Sequence, residues 1–143
     1  MAAAPVVARP IPRDTAAEHR ELEQRFGRER ALATLLGEAS YYSDIFTGRK
    51  TASGEPYDPK RYTAAHRSLP FGTVLRVRRK DTGHVVYVRV NDRGPFGKKR
   101  RILDLSKAAA EHLGMLRRGI ADVRIEIVER PKPKPKSKRK RRR

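Results

Sequence analysis

Alternating apolar and polar residues predict short strands over much of this chain. Residues 73–78 and 121–128 place an apolar side chain at every second position, as half-buried strands do. The Val-rich run 84–90 follows a turn at residues 81–83, so we expect it to pair with the strand before that turn as a hairpin. Two shorter apolar runs predict further strands, at residues 39–42 and 102–103.

A helical period of apolar residues near the N-terminus predicts a helix. It runs from about residue 15 to Leu36, with Asp14 and Thr15 available as its cap and Gly27 as an interruption. The three prolines in residues 1–13 favour an unstructured lead. We expect the helix to pack on the domain that follows or to mark its edge.

A second, shorter helix is predicted near the last strands. Ser106 can cap a helix over residues 107–113, and Gly114 is well placed to stop it. Residues 43–63 are rich in Gly, Pro, Asp, Ser and Thr and are expected to form a loop. Many short strands with few helices favour a mainly β fold, a small barrel.

Charge divides the chain unevenly. The 143 residues carry a formal net charge of +19, and residues 130–143 hold ten basic and no acidic side chains. Such a segment buries no apolar area, so we expect disorder with some polyproline character. We therefore predict three regions: an N-terminal extension at 1–36, a barrel domain at 37–130 and a basic tail at 131–143.

Several classes of protein are excluded by composition. The chain has no cysteine, which rules out disulfides, thiol catalysis and cysteine-based zinc sites. It has no apolar run of 18 residues, so no membrane-spanning helix is expected. Its start has no basic region followed by a long apolar run, so no signal peptide is expected in the chain as given, and no lipid-modified cysteine is possible.

Three titratable side chains stand out because Gly- and Pro-rich loops carry them. Glu55 follows Thr51-Ala52-Ser53-Gly54, His66 precedes Arg67-Ser68-Leu69-Pro70, and Asp92 precedes Arg93-Gly94-Pro95. Acid and base groups on loops between short strands are typical of a site on a scaffold. The four histidines show no metal-binding spacing, and no phosphate loop is present, so we expect neither a metal nor a cofactor.

Residues 37–129 resemble the RlpA-type double-psi β-barrel of bacterial cell envelopes, the rare lipoprotein A family of septal-ring lytic transglycosylases. The matching blocks follow the family's order and cover nearly the whole predicted barrel. They are residues 37–42, 48–55, 63–73, 88–96, 102–110 and 113–114. The resemblance implies a six-stranded double-psi β-barrel. It also implies a place in the cell envelope, periplasmic or secreted.

The same resemblance implies an activity on peptidoglycan glycan strands. Members cleave the MurNAc-β-1,4-GlcNAc bond without water and leave a 1,6-anhydro end. The family's acidic and histidine positions fall on Glu55, His66 and Asp92. This chain departs from the family's usual pattern in showing no lipobox leader and no C-terminal peptidoglycan-binding repeat, so anchoring and septal targeting are not carried over.

Each candidate residue has a functional and a structural interpretation. Asp92 taken alone is best explained by an Asx-type turn, but within the whole pattern it is expected to be the acid and base. Glu55 is expected to raise the pKa of Asp92 or to hold the C6 hydroxyl, and otherwise is a solvated charge. His66 orients a carboxylate or contacts the glycan, or is a buried histidine. Asp104 is a reserve acid or a residue at a helix start.

Further side chains are expected to contact the glycan. They are Tyr42, Thr51, Ser53, Thr63, Asn91 and Arg93. A different class of function remains open: a non-catalytic, expansin-like module that binds polysaccharide through the same surface. A third is contact between residues 130–143 and a nucleic acid or another anionic polymer, because such a tail neutralises phosphates without regard to sequence. The protein is expected to be a monomer.

Overall fold

A computed structural model describes residues 13–132 of the chain as a closed barrel with helices outside it. The strands are β1 (Ala33–Tyr41), β2 (Thr63–Ala65), β3 (Val74–Arg79), β4 (Val85–Asp92), β5 (Arg101–Leu105) and β6 (Ala121–Glu129). The helices are α1 (Ala16–Phe26), α2 (Lys107–His112) and a short 3₁₀-helix, Asp44–Phe46.

The strand order around the barrel is β1-β5-β2-β4-β3-β6. Two neighbouring pairs are parallel, β1 with β5 and β2 with β4, and the remaining pairs are antiparallel. The predicted hairpin is present, since β3 and β4 pair around the turn at Asp81. The register brings the ends of β1, β4 and β5 close together, with β2 between β4 and β5.

The barrel interior is filled by aliphatic side chains, which explains the alternating sequence pattern. Val86, Val88 and Val90 on β4 are fully buried, as are the inward residues of the neighbouring strands. Burial of each such side chain contributes about 1.5–3 kcal/mol. Helix α2 adds Ala109 and Ala110 to the same core, and Ser106 caps that helix as predicted.

Helix α1 packs on the outer surface of the barrel. Thr15 caps it by accepting a hydrogen bond from the Glu18 amide, as the sequence indicates. Its last residue, Phe26, is buried with Val74, Tyr87 and Val128, which form a second apolar cluster outside the barrel. For this reason β3 and β4 are buried on both faces where the helix covers them.

The N-terminal helix is shorter than the sequence suggests. It ends at Phe26, so the prediction of a helix reaching Leu36 was wrong. Residues from Ala33 onward form β1, which pairs with β6 from Ala33↔Ile127 to Ala39↔Ala121. Strand pairing with a distant segment outweighs the local helical period. The expected region boundary between residues 36 and 37 therefore falls inside β1.

Strand β2 was not predicted from the sequence, and the prediction for the C-terminal tail concerns residues that are mostly not described. Residues 63–65 form β2, although the loop was expected to extend through residue 63. The tail at residues 131–143 was expected to be disordered, and residues 133–143 of it lie outside the described part of the chain. Among residues 13–132, neither helix is long and apolar enough to cross a bilayer.

Candidate active site

Asp92 lies at the end of β4 and is held by three donors. The Tyr42 hydroxyl donates to its Oδ2 at 2.5 Å. The amides of Ala52 and Arg93 both donate to its Oδ1, each at 2.8 Å. These contacts join the end of β4 to the loop after β1 and to the loop carrying Glu55. The side chain is therefore fixed in one orientation and remains half-buried.

Asp104 is a second carboxylate that lies near Asp92, on the other side of β2. Both residues neighbour Ala65 on β2, Asp104 across the antiparallel pair and Asp92 across the parallel one. Burial raises the pKa of Asp104, and the charge of Asp92 raises it further, whereas a hydrogen bond from Ser40 and the charge of Arg101 act against this rise. The reserve acid of the sequence analysis thus has an environment suited to holding a proton.

Glu55 is bound to a cation and not to Asp92. Both of its carboxylate oxygens accept hydrogen bonds from Nη2 of Arg89 at 2.9 Å. Burial alone would raise the pKa of Glu55, but the hydrogen bond and charge of Arg89, with help from Asn91 and Ser53, lower it. The contact with Arg89 therefore favours the anionic form of Glu55. The expected contact between Glu55 and Asp92 is not among the hydrogen bonds of residues 13–132, where Glu55 pairs with Arg89 and the charge of Asp92 acts on Asp104 instead.

The loop that carries Glu55 is shaped by its own hydroxyl groups. The Thr51 hydroxyl donates to the Glu55 carbonyl at 2.6 Å, and the Ser53 hydroxyl lies 3.3 Å from Glu55 Oε1. The Ser53 amide donates to the Asn91 carbonyl, which ties the loop to the strand end beside Asp92. Gly54 adopts a φ of 94°, a left-handed conformation that suits glycine.

His66 stabilises a turn. Its Nδ1 accepts hydrogen bonds from the amides of Ser68 and Leu69, both at 3.1 Å. Burial lowers the pKa of His66, and the charges of Arg67 and Arg93 lower it further, so the ring is neutral with its proton on Nε2. In the structure of residues 13–132 the ring makes no hydrogen bond to a carboxylate, while its backbone amide donates to the Asp92 carbonyl.

Two other residues expected at the glycan surface have contacts within the protein. The Arg93 guanidinium lies over the Phe71 ring and donates to the carbonyls of His66 and Leu69. Thr63 is buried in β2, where its amide donates to the Ser106 hydroxyl. The Arg93 side chain is therefore engaged within the protein, and Thr63 is held in β2 through its backbone.

Aromatic side chains flank Asp92 on the β1 side. Tyr42 stacks on Tyr57 with ring centroids 4.3 Å apart, and Phe46 meets the Tyr42 ring edge-on. Burial and the hydrogen bond to Asp92 raise the pKa of Tyr42 far above its ordinary value, so its hydroxyl keeps its proton.

Sequence reasoning missed two residues of the site. Arg89 and Asp14 form an ion pair with Nη2 of Arg89 2.7 Å from Oδ2 of Asp14, and the same nitrogen binds Glu55. A polar residue between Val88 and Val90 is only what an alternating strand requires, and Asp14 has the features of a helix cap. No local signal connects two residues that are separated by 75 positions.

A group of potential metal ligands lies where α1 meets α2. His19, Glu23 and His112 place one ligand atom each within 4.8 Å of the others. However, His19 Nε2 accepts a hydrogen bond from the Tyr87 amide, and its Nδ1 lies 3.0 Å from Glu23. The imidazole proton is thus on Nδ1, which leaves that nitrogen without a lone pair for a metal. These contacts dock α1 on the barrel.

The closed six-stranded barrel, with Asp92 and Asp104 near the ends of its strands, defines the class: a double-psi β-barrel. The chain belongs to the lytic transglycolase family, whose model matches residues 34–125. The matched region contains every candidate catalytic residue described above.

Curated relatives agree with this assignment. The chain is 57% identical over 89 residues to the probable endolytic peptidoglycan transglycosylase RlpA of Treponema pallidum, covering 62% of this chain. It is 50% identical over 111 residues to the Nostoc sp. protein of that name and 44% identical over 117 residues to the Haemophilus influenzae endolytic peptidoglycan transglycosylase RlpA, covering 76% and 82% of this chain. The chain spans only 28%, 29% and 40% of the lengths of these three relatives.

Solved structures support the fold. The Streptomyces papain inhibitor superposes with a TM-score of 0.56 at 25% identity, covering 69% of this chain and 97% of the inhibitor. An expansin from Clavibacter michiganensis gives a TM-score of 0.54 at 27% identity over 71% of this chain and 53% of its own. A mutant of that expansin in complex with cellohexaose gives 0.55 at 25% identity, with the same coverage of both chains.

Proposed function

We propose that this protein is a lytic transglycosylase that cleaves the MurNAc-β-1,4-GlcNAc bonds of peptidoglycan glycan strands and leaves 1,6-anhydroMurNAc ends. The observation that carries this proposal is the Tyr42–Asp92 hydrogen bond at the end of β4. It places a fixed carboxyl group beside the Tyr42 ring, with Asp104 near it across β2. Membership of the lytic transglycolase family and the names of the relatives support the same activity.

Asp92 is the proposed acid and base. As the acid it protonates the GlcNAc O4, and the bond from that oxygen to C1 of MurNAc breaks. The C6 hydroxyl of the same MurNAc then attacks C1, and its proton returns to Asp92. A hydroxyl both donates and accepts, so Tyr42 can donate to the carboxylate and accept from the carboxylic acid. The Tyr42–Asp92 contact therefore suits both steps.

The other two carboxylates have distinct proposed roles. Burial and the charge of Asp92 raise the pKa of Asp104, which favours a proton on Asp104. Glu55, kept anionic by Arg89, stabilises positive charge that develops at C1 and accepts a hydrogen bond from the C6 hydroxyl. The three acids thus divide proton storage, proton transfer and charge stabilisation among them.

The setting of this activity follows from its substrate. A protein that acts on peptidoglycan works in the cell envelope, and the glycan strand is its proposed partner. The basic residues 130–143 are proposed to contact anionic polymers there, because a run of positive charges binds polyanions through electrostatics. Nucleic acid is a second polyanion to which the same charge would bind.

Product analysis tests the proposal. Purified peptidoglycan, with and without peptide stems, is incubated with the wild type and with Asp92→Asn, and soluble products are examined by mass spectrometry. We expect anhydro-ended fragments from the wild type and a loss of at least a hundredfold in Asp92→Asn. A folded wild type that sediments with glycan and releases nothing would contradict the proposal and identify a binding module.

A further inference from the structure

An acidic residue outside the matched family region reaches the site. Asp14 precedes α1, twenty residues before the family match begins at residue 34. Its side chain is only 6% exposed, which is unusual for a carboxylate at the start of a surface helix. It also has a φ of 61°, the one positive φ among non-glycine residues 13–132. A buried charge on a strained backbone indicates a specific contact.

That contact is with the cation that holds Glu55. Nε of Arg89 donates to Asp14 Oδ1 at 3.0 Å and Nη2 donates to Oδ2 at 2.7 Å, so the pair is bidentate. The Asp14 backbone is fixed as well, because its carbonyl accepts from the Tyr62 amide at 2.8 Å. Bidentate pairs fix the plane of a guanidinium as well as its position.

The same guanidinium continues to the proposed active site. With Nε and Nη2 engaged by Asp14, the Nη2 of Arg89 also donates to both oxygens of Glu55. Arg89 lies on β4, three residues before Asp92. One cation thus stands between an acidic residue of the extension and an acidic residue of the site, and the orientation of its plane determines whether Nη2 reaches Glu55.

We propose that Asp14 is a positioning residue for catalysis: it orients Arg89 so that Arg89 holds Glu55 as an anion at the site. The inference rests on the proposed function, in which Glu55 stabilises charge at C1. It makes the N-terminal extension part of the active site, acting through one ion-pair chain. Asp14 itself touches no reacting atom.

The proposal predicts a direction for the acid-base behaviour of Glu55. Burial favours the neutral form of this carboxyl, and Arg89 overcomes that tendency and lowers the pKa of Glu55. When Arg89 turns away, the effect of burial remains and the pKa of Glu55 rises. If Asp14 merely shared the charge of a rigid Arg89, its removal would lower the pKa of Glu55. The two cases therefore differ in sign.

The test uses two variants of the full chain. Asp14→Gly removes the carboxylate and accepts the positive φ without strain, so the backbone is preserved. Asp14→Asn keeps an acceptor for Arg89 and also tolerates this φ. The carboxyl pKa of Glu55 is followed by ¹³C NMR titration, with Glu55→Gln used to assign its signal, and glycan cleavage is measured across pH.

We expect Asp14→Gly to raise the pKa of Glu55, to move the acid limb of the rate profile to higher pH and to lower kcat on the order of tenfold with little change in KM. Asp14→Asn is expected to recover much of both effects. An unchanged or lowered pKa of Glu55 in Asp14→Gly would overturn the proposal. The NMR titration needs no activity, so it distinguishes failure of this inference from failure of the proposed function.

A matched control separates positioning from general destabilisation. Phe26→Leu weakens the packing of α1 on the barrel without touching Arg89. It is expected to lower the melting temperature and to leave the pKa of Glu55 where it is in the wild type. An equal rise of that pKa in Phe26→Leu would show that Asp14 acts only by holding the helix in place, and would contradict a positioning role.

Discussion

At the scale of single residues, the site contains carboxyl groups whose burial favours the neutral form over the ionised form. Asp104 shows this most clearly, because burial is the main reason that its pKa is raised and the Ser40 hydroxyl is the one side chain that donates to it among residues 13–132. A group whose pKa is higher in the folded than in the unfolded protein costs stability once it ionises. The site therefore keeps Asp104 at the expense of folding free energy.

Replacing Asp104 with Asn should accordingly stabilise the protein near neutral pH. Below the pKa of the unfolded state, Asp104 is protonated in both states and costs nothing. The cost grows as the pH rises from the unfolded pKa to the folded pKa of Asp104, and it is fully present above the folded pKa. Asn keeps the oxygen that accepts from Ser40, so we expect the melting temperature of Asp104→Asn minus that of the wild type to increase from pH 3.5 to pH 7.

Thermal unfolding measured across this pH range provides the comparison. Asp44→Asn is the control, because Asp44 is an exposed carboxylate paired with Lys107 at the surface, and its replacement should have little effect. A difference between Asp104→Asn and the wild type that does not change with pH would mean that Asp104 carries no ionisation cost.

At the scale of elements, one buried arginine joins α1 to the barrel. Arg76 on β3 donates to the carbonyls of Phe26 and Glu29 at 2.6 and 2.9 Å, just where α1 ends. It also forms a buried ion pair with Glu126 on β6. The hydrogen bond and charge of Arg76 lower the pKa of Glu126 despite burial. The end of the helix and two strands therefore depend on a single side chain.

Arg76→Met should destabilise the fold by about 3 kcal/mol, because it leaves a buried carboxylate without its cation. Chemical denaturation at pH 7 measures the loss. A lowered folded pKa contributes stability above the unfolded pKa of Glu126 and loses it as pH falls through the folded value, so the difference from the wild type should shrink in acid.

The double variant Arg76→Met/Glu126→Leu should recover part of the loss. If it is no more stable than Arg76→Met, the stranded charge is not the cause.

Elements with a strong local pattern were predictable from the sequence. The alternation in β3 and β6, the turn before β4 and the Ser106 cap of α2 are all in the structure. The end of α1 was not predictable in this way, because Ala33 and Leu36 also fit a helical period and only pairing with β6 makes them a strand. The three residues of β2 are too few to show any period.

The candidate site divides in the same manner. Glu55 and Asp92 belong to recognisable sequence blocks, whereas the partner of each depends on contacts between distant segments. Nothing local indicates that Arg89 would bind Glu55 or that Tyr42 would bind Asp92 across 50 positions. The roles assigned to these residues stay predictions until the variants are measured.

At the scale of the whole molecule, the excess positive charge is concentrated at one end of the sequence. The first 129 residues carry 25 basic and 16 acidic side chains, and the ten basic residues of 130–143 supply the rest of the +19. The site and this segment therefore carry opposite charges. The site has carboxylates near the strand ends of the barrel, and the C-terminal segment has cations. We expect the two to contribute independently, one to chemistry and one to attachment.

Deletion of residues 130–143 should separate these contributions. We expect the shortened protein to lose affinity for anionic polymers, with heparin and duplex DNA as probes, and to lose most of the salt dependence of that binding. Its rate on soluble glycan strands should remain within about twofold of the wild type. A loss of rate on soluble glycan equal to the loss of polymer binding would show that the segment takes part in the site.

The central claim is that the C6 hydroxyl of MurNAc, and not water, attacks C1 when the glycosidic bond breaks. Digestion of purified glycan strands in H₂¹⁸O, followed by mass spectrometry of the new ends, tests it most directly. The account predicts anhydro ends that carry no ¹⁸O with the wild type and no new ends with Asp92→Asn. Reducing ends labelled with ¹⁸O would show a hydrolase and would contradict the account.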